Sequence, residues 1–350
     1  MRIPLVRSHV YAGGTERERE VVLVRAEAVE GGEGWGECSA LSSVGYGSET
    51  VDSSWRTLRD DLAPQWLVRR TVERAAPMAY AAIEEASIDL SLRSRDVSLV
   101  DELFTGAPPR GSISWCAVVG LHDDAQTMLR DVDDALAAGA AQVKLKIAPG
   151  HDLGPLAAVR DRYPDLALAA DANGSYPSSS AIPAELAALG LTYLEQPLPP
   201  DDFVGSSHVE VELGIPVALD ESVDSLQRLA DARDRRAGSI INVKAARLGG
   251  LSEVQSVLTD LQRTGTRAFV GGMLETAVGR AIGLAIAAQE PCSLPSDLGP
   301  TSRYFVDDIG PSFEADEVGR LSPAQGPGIG VDPDPAVLER FCIDRVVIRP

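Results

Sequence analysis

The amino-acid sequence predicts an α/β fold: a TIM-like barrel of the (β/α)7β type, with an N-terminal α+β capping domain that the C-terminal tail completes. The main observation is a period. From residue 113 onward, eight short β-prone runs are centred 24 to 28 residues apart, and most stretches between them have a helical pattern. Units of one strand and one helix at this spacing are typical of a β/α barrel. The chain has 350 residues, whereas such a barrel needs about 250, so a second domain is expected.

Residues 1–112 are predicted to form the capping domain. We interpret its first half as one hairpin and its second half as two helices, at residues 4–11, 20–28, 49–62 and 76–93. The sequence GGEGWG at residues 31–36 lacks the GxGxxG spacing of a nucleotide-binding turn, and no helix follows it directly. We therefore interpret its glycines as turn residues.

The barrel is predicted over residues 113–321. Its eight β-prone runs lie at residues 113–119, 142–147, 166–170, 192–196, 216–219, 240–244, 267–272 and 293–297. Helices are predicted at residues 123–138, 153–163, 179–189, 225–235, 251–264 and 276–289. An open doubly wound sheet would have fewer strands and a glycine-rich phosphate turn after its first strand, which this sequence lacks. The tail, residues 322–350, ends in a β-prone run at 343–348 and is expected to pack back on the capping domain.

Composition excludes several classes of protein. Hydrophobic residues make up 44% and charged residues 24%, which is enough apolar surface for a large core. The formal net charge of −20 argues against a surface that binds nucleic acid or acidic membranes. No stretch approaches about 18 uninterrupted apolar residues, so no membrane span is predicted. The start has no apolar core of signal-peptide length and the four cysteines are far apart, so we expect a cytoplasmic protein with reduced thiols.

The basic residues are strongly biased toward arginine. Lys144, Lys146 and Lys244 are the only lysines, so 29 of the 32 Lys and Arg residues are arginines. Arginine stays protonated in proteins, whereas a buried lysine can lose its proton. We infer that these three positions need an amine for a chemical reason.

Acidic residues end three consecutive predicted strands. Asp171, Glu195 and Asp220 lie at the carboxyl ends of the third, fourth and fifth strands, where a β/α barrel has its chemistry. Neighbouring strands are about 4.8 Å apart, so the three carboxylates would converge and repel one another. A hard divalent cation removes this repulsion, which predicts Mg²⁺, with Mn²⁺ as a substitute. Asn173 and Glu221 follow two of these ligands closely and are predicted to support them. None of the four histidines lies at these strand ends, so zinc is not predicted.

The three lysines flank this predicted metal site. Lys144 and Lys146 are two residues apart on the second strand and therefore point to the same side of it. Lys244 ends the sixth strand, on the other side of the metal-bearing strands. Amines on two sides of a bound molecule could remove or deliver a proton from either face. Their charge, together with that of the metal, suits a small-molecule carboxylate as the substrate.

The pattern of these lysines and acids along the chain resembles that of the muconate lactonizing enzyme subgroup of the enolase superfamily. Within it, three stretches are most similar to the o-succinylbenzoate synthase / N-acylamino acid racemase family: YGSE at residues 46–49, GGMLET at 271–276 and the segment 296–305. The resemblance covers essentially the whole chain. A dipeptide epimerase would be expected to have Asp-x-Asp on the eighth strand, where this sequence has Asp297-Leu298-Gly299.

The resemblance implies a role for each site residue. Asp171, Glu195 and Asp220 match the metal ligands, and Lys146 and Lys244 match the acid–base pair. Lys144 and Arg247 would hold the pKa values of these two lysines down by like-charge repulsion. The implied substrate contacts are Tyr46, Gly272, Met273 and Asp297. Capping-domain loops at residues 12–17 and 42–47 would close over the substrate. One departure is the sequence WCAV at 115–118, where related chains often have a small polar residue.

The resemblance implies a Mg²⁺-dependent o-succinylbenzoate synthase. Such an enzyme dehydrates a cyclohexadiene carboxylate precursor in menaquinone biosynthesis through an enediolate. An N-acyl or N-succinyl amino acid racemase with the same two lysines is the alternative, and a muconate-type cycloisomerase is a further one. A non-catalytic binding barrel would not need both lysines. By analogy with the superfamily, a homo-oligomer is expected.

Overall fold

The computed structural model describes residues 1–11, 14–44, 46–69, 74–103, 106–122 and 124–349. The first part of the described chain contains these elements: β1 (Arg2–Tyr11), β2 (Gly14–Glu20), β3 (Val22–Glu27), β4 (Glu33–Cys38), α1 (Val51–Thr57), α2 (Ala63–Arg69), α3 (Pro77–Ser94) and α4 (Leu99–Glu102). A turn of π-helix, Leu58–Leu62, joins α1 to α2. The two helices predicted in this part therefore correspond to the α1–α2 segment and to α3.

The single hairpin predicted from residues 4–11 and 20–28 is wrong. β1 pairs antiparallel with β2, and β3 pairs antiparallel with β4. The sequence of β2, GTERERE, contains no apolar residue. Its backbone pairing with β1 holds it in the sheet. The alternation of apolar and polar residues that indicates a strand is absent there, so the sequence gives no sign of it.

Only two of the four glycines in residues 31–36 are turn residues. The first two lie between β3 and β4 with φ angles of +95° and +100°. Gly34 and Gly36 lie inside β4, against α3. A Cβ atom on Gly34 would be 2.3 Å from a backbone oxygen of α3, and one on Gly36 would be 2.1 Å from another. The interpretation as turn glycines is therefore wrong for these two, which are needed for close packing of helix on strand.

Most of the remaining strands of the described chain belong to the barrel. They are β5 (Ile113–Ser114), β6 (Cys116–Val119), β7 (Gln142–Lys146), β8 (Leu168–Asp171), β9 (Leu194–Glu195), β10 (Val217–Leu219), β11 (Ile240–Val243), β12 (Arg267–Val270) and β13 (Arg320–Leu321). Strands β6 to β12 form one parallel sheet in sequence order, and β5 pairs with β13. Inward-facing side chains fill the sheet's concave side, where the rings of Tyr193 and Phe269 stack at 5.1 Å.

The eighth predicted strand, residues 293–297, is not a regular strand. Its backbone still bonds on both sides: Cys116 N donates to Ser296 O at 2.7 Å, and Asp297 N donates to Val270 O at 2.8 Å. Leu294 N also donates to Ala268 O at 3.2 Å, and Pro295, which has no N–H, interrupts the ladder between Leu294 and Asp297. These bonds join the last part of the sheet to the first, so the predicted barrel fold is confirmed.

Helices follow most of the strands. They are α5 (Ala125–Ala137), α6 (Leu153–Arg162), α7 (Phe203–Leu213), α8 (Leu226–Asp234), α9 (Ala245–Leu248), α10 (Leu251–Thr264) and α11 (Ala277–Ala287). The helix predicted at 179–189 is instead two 3₁₀ turns, Ser179–Ala181 and Ala184–Leu189, separated by a proline that cannot donate a hydrogen bond. The predicted helix at 123–138 includes residue 123, which lies outside the described residues. No described helix is long and apolar enough to cross a membrane.

The tail differs from its prediction at its end. After α12 (Pro335–Phe341), the predicted β-run at 343–348 is coil, because in the described chain no neighbouring strand pairs with it. The earlier part of the tail contacts the capping domain. Gly328 N donates to Val97 O at 2.8 Å, and Arg93 Nη1 donates to Asp332 Oδ1 at 2.6 Å.

Candidate active site

Three carboxylates lie at the carboxyl ends of adjacent barrel strands. Asp171 and Glu195 are the last residues of β8 and β9 and are paired in register, and Asp220 directly follows β10. All three, which we call the carboxylate trio, are almost fully buried. The register of parallel strands brings them together, as the sequence predicts.

Two lysines approach the carboxylate trio from opposite flanks. Lys146, the last residue of β7, donates from Nζ to Asp171 Oδ2 at 2.6 Å. Lys244, directly after β11, donates from Nζ to Asp220 Oδ2 at 2.8 Å. Because β7 and β11 lie on either side of β8 to β10, the space above the trio is bounded by an amine on each side.

The third lysine lies deeper, between two carboxylates. Lys144 Nζ donates to Glu195, and to Asp297 Oδ2 at 2.5 Å. Burial opposes the charge on this amine, but the attraction of Asp297 and Glu195 outweighs burial and raises the pKa of Lys144 well above its ordinary value. Lys144 is therefore a fixed positive charge beneath the trio.

Asn173 and Glu221 extend the site at its rim. Asn173 N donates to Asp171 Oδ1 at 2.9 Å, and Asn173 Oδ1 accepts from Lys146 Nζ at 2.6 Å. Asn173 Nδ2 donates to Glu221 Oε1 at 3.1 Å. The left-handed backbone of Asn173, with φ at +44°, turns both its amide N–H and its side chain into the site. Both residues therefore lie where the sequence predicts supporting groups.

Arg247 and Tyr46 surround the other end of the trio. Arg247 Nη1 donates to Asp220 and, at 2.7 Å, to the Tyr46 hydroxyl, while its Nε donates to Val223 O at 2.8 Å. The Tyr46 hydroxyl in turn donates to Asp220 Oδ1 at 2.9 Å. The Lys244 ammonium lies 4.2 Å from the centre of the Tyr46 ring, a cation–π distance. Tyr46 thus brings the capping domain into contact with the site.

The carboxylates and cations shift one another's pKa values. Burial and the neighbouring Asp171 raise the pKa of Glu195 to about 8. Burial also favours the neutral form of Asp220, but Lys244 and Arg247 outweigh it and hold the pKa of that carboxyl well below its usual range. Burial opposes the charge on Lys244, yet the attraction of Asp220 raises its pKa. Arg247 lowers the pKa of Lys244 by like-charge repulsion, as predicted, but Asp220 has the larger effect and the net shift is upward.

The donor set of the trio fits a hard divalent cation. In the part of the chain that the structure describes, no three His, Cys, Asp or Glu side chains are positioned together to hold a metal ion, and each carboxylate of the trio has an oxygen turned to a lysine. The available donors are nevertheless buried oxygens on adjacent strands, as in a magnesium site. With Glu221 and Asp297, five carboxylates face four cationic side chains. One buried oxygen on each of these two has no hydrogen-bond partner among the described residues. An added cation would balance this excess.

The four implied substrate contacts have different positions. Tyr46 is half-buried, with its hydroxyl bonded inside the site as described above. Asp297 is half-buried, with its Oδ2 on Lys144 Nζ, and its direct contact with a substrate stays a prediction. Gly272 lies so close to this residue that a Cβ would be 2.6 Å from Asp297 O. Met273 is buried in the cluster that joins the capping domain to α9.

Two polar residues that sequence reasoning missed organise the site. Gln196 follows Glu195, and its Oε1 accepts from Asp220 N at 3.0 Å and from Ser222 N at 3.2 Å. Asn242, on β11, donates from Nδ2 to Glu195 Oε1 at 2.7 Å. Asn242 lies two residues before Lys244 on an inward-facing position, and this alternation is the signal that could have found it.

The structure describes the predicted capping loops only in part, and it describes the whole WCAV segment. Residues 12, 13 and 45, within the predicted capping loops 12–17 and 42–47, lie outside the described residues. In the WCAV segment, Trp115 is fully buried, whereas Val118 is paired in register with Lys144 and only half-buried. The residues of one register pair point the same way, so the wall beside Lys144 is apolar at this point.

Comparisons with known proteins agree along the chain. Residues 127–337 match the family described as Enolase C-terminal domain-like. The chain is 35% identical to an N-succinylamino acid racemase from an Amycolatopsis species, over 99% of this chain and 97% of that protein. It is 34% identical to an o-succinylbenzoate synthase from Geobacillus stearothermophilus, over 94% of this chain and 90% of that protein. A solved structure of an enolase superfamily member from Listeria innocua has a TM-score of 0.89 at 30% identity, covering 97% of this chain and 94% of its own.

Proposed function

The chain belongs to the enolase superfamily, and from this premise we propose that it is a Mg²⁺-dependent o-succinylbenzoate synthase. Its relatives bear the names of lyases and isomerases, and this chain is an enzyme of that type. The observation that best supports the proposal is the pair of amines on opposite flanks of the carboxylate trio, Lys146 at Asp171 and Lys244 at Asp220. A binding protein would have no use for an amine on each side.

The carboxylate trio would hold the Mg²⁺ ion. The ion would supply Lewis-acid stabilisation for the negative charge that develops when a proton leaves the carbon next to the substrate carboxylate. Asn173 and Glu221 hold Asp171 and Lys146 in place at the rim. Burial of the trio excludes water from the place where the charge develops.

Lys146 would act as the base in the synthase reaction. Its Nζ would take the α-proton of the cyclohexadiene carboxylate and return it to the hydroxyl that departs from the same face, which leaves as water. Lys244 and Lys144 would remain protonated and stabilise the enediolate by their charge. The high pKa of both amines, which follows from their carboxylate partners, supports this part of the proposal.

The charge of the site supports an anionic substrate. The four cationic side chains of the site face five carboxyl groups, and burial raises the pKa of Glu195 to about 8 and that of Glu221 to about 7, which reduces the negative charge. A divalent cation would make the total positive, although the whole chain has a net charge of −20. Local charge of this sign attracts a carboxylate.

Racemisation of N-succinyl amino acids is the second candidate. Two observations favour it: the 35% identity to a protein of that name over nearly the whole chain, and the presence of Lys244 on the flank opposite Lys146. In this reaction one lysine would remove the α-proton and the other would deliver a proton to the opposite face. The acid–base roles then alternate with the direction of the reaction.

The first experiment follows the absorbance of the cyclohexadiene carboxylate precursor with purified protein, with Mg²⁺ and with excess chelator. Rapid loss that stops with chelator would support the synthase and the metal together. No turnover with Mg²⁺ would reject the synthase, and α-proton exchange of N-succinyl amino acids in D₂O would then test the racemase. Unchanged turnover in Lys146→Ala or Lys244→Ala would refute the lysine roles. We also propose that the protein is cytoplasmic and that it forms a homo-oligomer. Light scattering tests the oligomeric state.

A further inference from the structure

The loop between β12 and α11, residues 271–276, is held by a buried arginine of the capping domain. Arg19, in β2, is fully buried. Its Nε donates to Leu274 O at 3.2 Å, its Nη1 to Ala40 O at 2.8 Å and its Nη2 to Ser39 O at 2.7 Å. One guanidinium therefore connects the barrel loop to two carbonyl groups just after β4.

The end of the same loop is held by a buried carboxylate. Glu37, in β4, accepts from Thr276 N at 3.0 Å, from Thr276 Oγ1 at 2.6 Å and from Gly279 N at 3.0 Å. At the first of these two attachments, Leu274 has a φ angle of +56°, which is strained for a residue with a Cβ. Contacts with the capping domain therefore fix a loop conformation that the loop would not favour by itself.

The inner side of this loop lies against Lys244. A Cβ on Gly271 would be 2.3 Å from Lys244 Cε and 2.4 Å from Asn242 Oδ1. The loop backbone thus forms one wall of the channel that contains the lysine side chain. An outward shift of the loop would give Lys244 room to leave its present direction.

We propose that Arg19 is a positioning residue for Lys244. By holding Leu274 O, it presses the loop 271–276 against the lysine side chain and so directs the amine toward the substrate. The contacts of Arg19 are present whichever reaction the enzyme catalyses. Their effect on catalysis rests on the proposed role of Lys244. Lys146 lies on the other flank of the trio, and Arg19 does not contact its strand.

The test compares Arg19→Met with Arg110→Met in the full-length protein with Mg²⁺. Arg110 is a matched control, because its guanidinium also donates to three backbone carbonyls, those of Gln289, Glu290 and Cys292. Those carbonyls precede the eighth β-run, at the end of the barrel away from the trio. The measurement is α-proton exchange in D₂O of the D and L forms of an N-succinyl amino acid. The enantiomer whose exchange Lys244→Ala abolishes defines the face that Lys244 serves.

Arg19→Met is expected to slow exchange at the Lys244 face at least tenfold more than at the Lys146 face. Arg110→Met should leave the ratio of the two rates unchanged, and Arg19→Lys, which keeps a donor, should restore part of it. Equal slowing at both faces in Arg19→Met would overturn the inference. If Arg19→Met does not fold, the ratio in Arg19→Lys decides in the same way.

A second readout does not depend on activity. Amide hydrogen exchange of residues 271–276 should be faster in Arg19→Met than in wild type and unchanged in Arg110→Met. Unchanged protection in Arg19→Met would overturn the inference even if the wild-type protein exchanged neither enantiomer. That last result would reject the racemase reaction alone, which the amide exchange of residues 271–276 does not depend on, so the two failures can be told apart.

Discussion

At the scale of single residues, arginine and lysine have different tasks in this protein. Arginines hold backbone carbonyls together: Arg160, for example, donates to the carbonyls of Leu189, Pro164, Leu166 and Gly190. A planar guanidinium with five N–H donors can do this, whereas an ammonium is a compact charge with three. All three lysines, in contrast, lie at the carboxylate trio. The bias toward arginine in the sequence therefore reflects a separation between structural cations and site cations, with Arg247, which contacts Asp220, as the exception.

A charge-preserving change at Lys146 separates charge from proton transfer. Lys146→Arg is expected to lower kcat by at least about 10²-fold, because arginine keeps the positive charge but cannot act as a base. Steady-state kinetics on the precursor measure this change. Arg162→Lys, at an exposed pair with Asp133, is the control and should keep the wild-type rate. A wild-type rate in Lys146→Arg would show that Lys146 contributes charge alone.

The six acids and lysines of the site could be predicted because each lies at a strand end, or two residues before it in the case of Lys144, in a regular β/α period. Gln196 and Asn242 were missed, although they are neighbours of those residues, because their partners lie on other strands. Arg19 and Glu37 could not be found from the sequence at all. They act across more than 200 residues of chain on a loop whose position only the folded structure defines.

At the scale of elements, close packing of β4 on α3 constrains the capping domain. Gly34 and Gly36 face the helix so closely that no side chain fits between them, and the two elements make one continuous core with Trp35 and Leu92. Strand glycines of this kind mark the approach of another backbone. Local sequence reasoning assigned them to a turn because it has no information about the helix that packs on them.

Gly36→Ala is expected to lower the free energy of unfolding by about 2 kcal/mol or more, because the new Cβ would meet a backbone oxygen that cannot move away easily. Denaturant unfolding followed by circular dichroism measures this. Gly111→Ala is the control, since a Cβ there has no atom within 4 Å. Equal stability of the two variants would mean that β4 and α3 can separate at little cost.

The N-terminus of α11 makes stability depend on pH. Burial raises the pKa of Glu37 to about 7, with Glu275 adding to the effect and hydrogen bonds from Thr276 and Gly279 opposing it. Glu85, on α3, faces the same place, and burial raises its pKa as well. The folded state therefore binds protons more tightly than the unfolded one. The contribution to stability is full below about pH 4.5 and is lost as the pH rises to about 7, by about 3 kcal/mol for Glu37.

Glu37→Gln is expected to flatten the fall in unfolding free energy between pH 5 and 7, as measured by denaturant titrations at several pH values. Glu339→Gln, at an exposed surface pair, is the control and should keep the wild-type slope. A slope in Glu37→Gln equal to that of wild type would assign the titration to other groups.

Most of the barrel elements could be predicted, and the errors share one cause. The β/α period located the seven strands of the sheet and the larger helices to within a few residues. The errors are β2, the 3₁₀ turns at 179–189, the irregular eighth run and the coil at 343–348. In each of them, a proline or the presence or absence of a pairing partner outweighs the local pattern of apolar residues. The missed helix α7 buries Gly205 and Ser206 as well as Phe203 and Val209, so its buried face is only partly apolar and gives a weak helical pattern.

At the scale of the whole molecule, buried carboxylates of the capping domain meet the starts of barrel helices. Glu84 accepts from Ser252 N at 3.1 Å at the start of α10, and Glu37 accepts from two amides at the start of α11. The first amides of a helix have no partner within the helix, and these carboxyl oxygens accept their hydrogen bonds. These contacts join the capping domain to the barrel at the starts of α10 and α11. The capping domain therefore helps to hold the site in place. The division at residue 112 remains a prediction.

Binding of Mg²⁺ at the carboxylate trio is expected to stabilise the whole molecule. At a Mg²⁺ concentration of 100 times its Kd, the gain is about 2.7 kcal/mol, which raises the melting temperature. Differential scanning calorimetry with Mg²⁺ and with chelator measures the shift. Asp171→Asn should lose it, whereas Asp165→Asn, an exposed position, should keep it. A full shift in Asp171→Asn would place the ion elsewhere.

The attachment of the loop 271–276 has a consequence for protein engineering. A chimaera that joins the capping domain of one relative to the barrel of another keeps Lys244 aligned only if residues 19 and 37 come from the same parent as residues 274–279. Exchange of the whole capping domain without this match would leave the trio and both flanking lysines intact and still misalign one amine. Recombination libraries built from this chain should therefore treat residues 19, 37 and 274–279 as one inherited block.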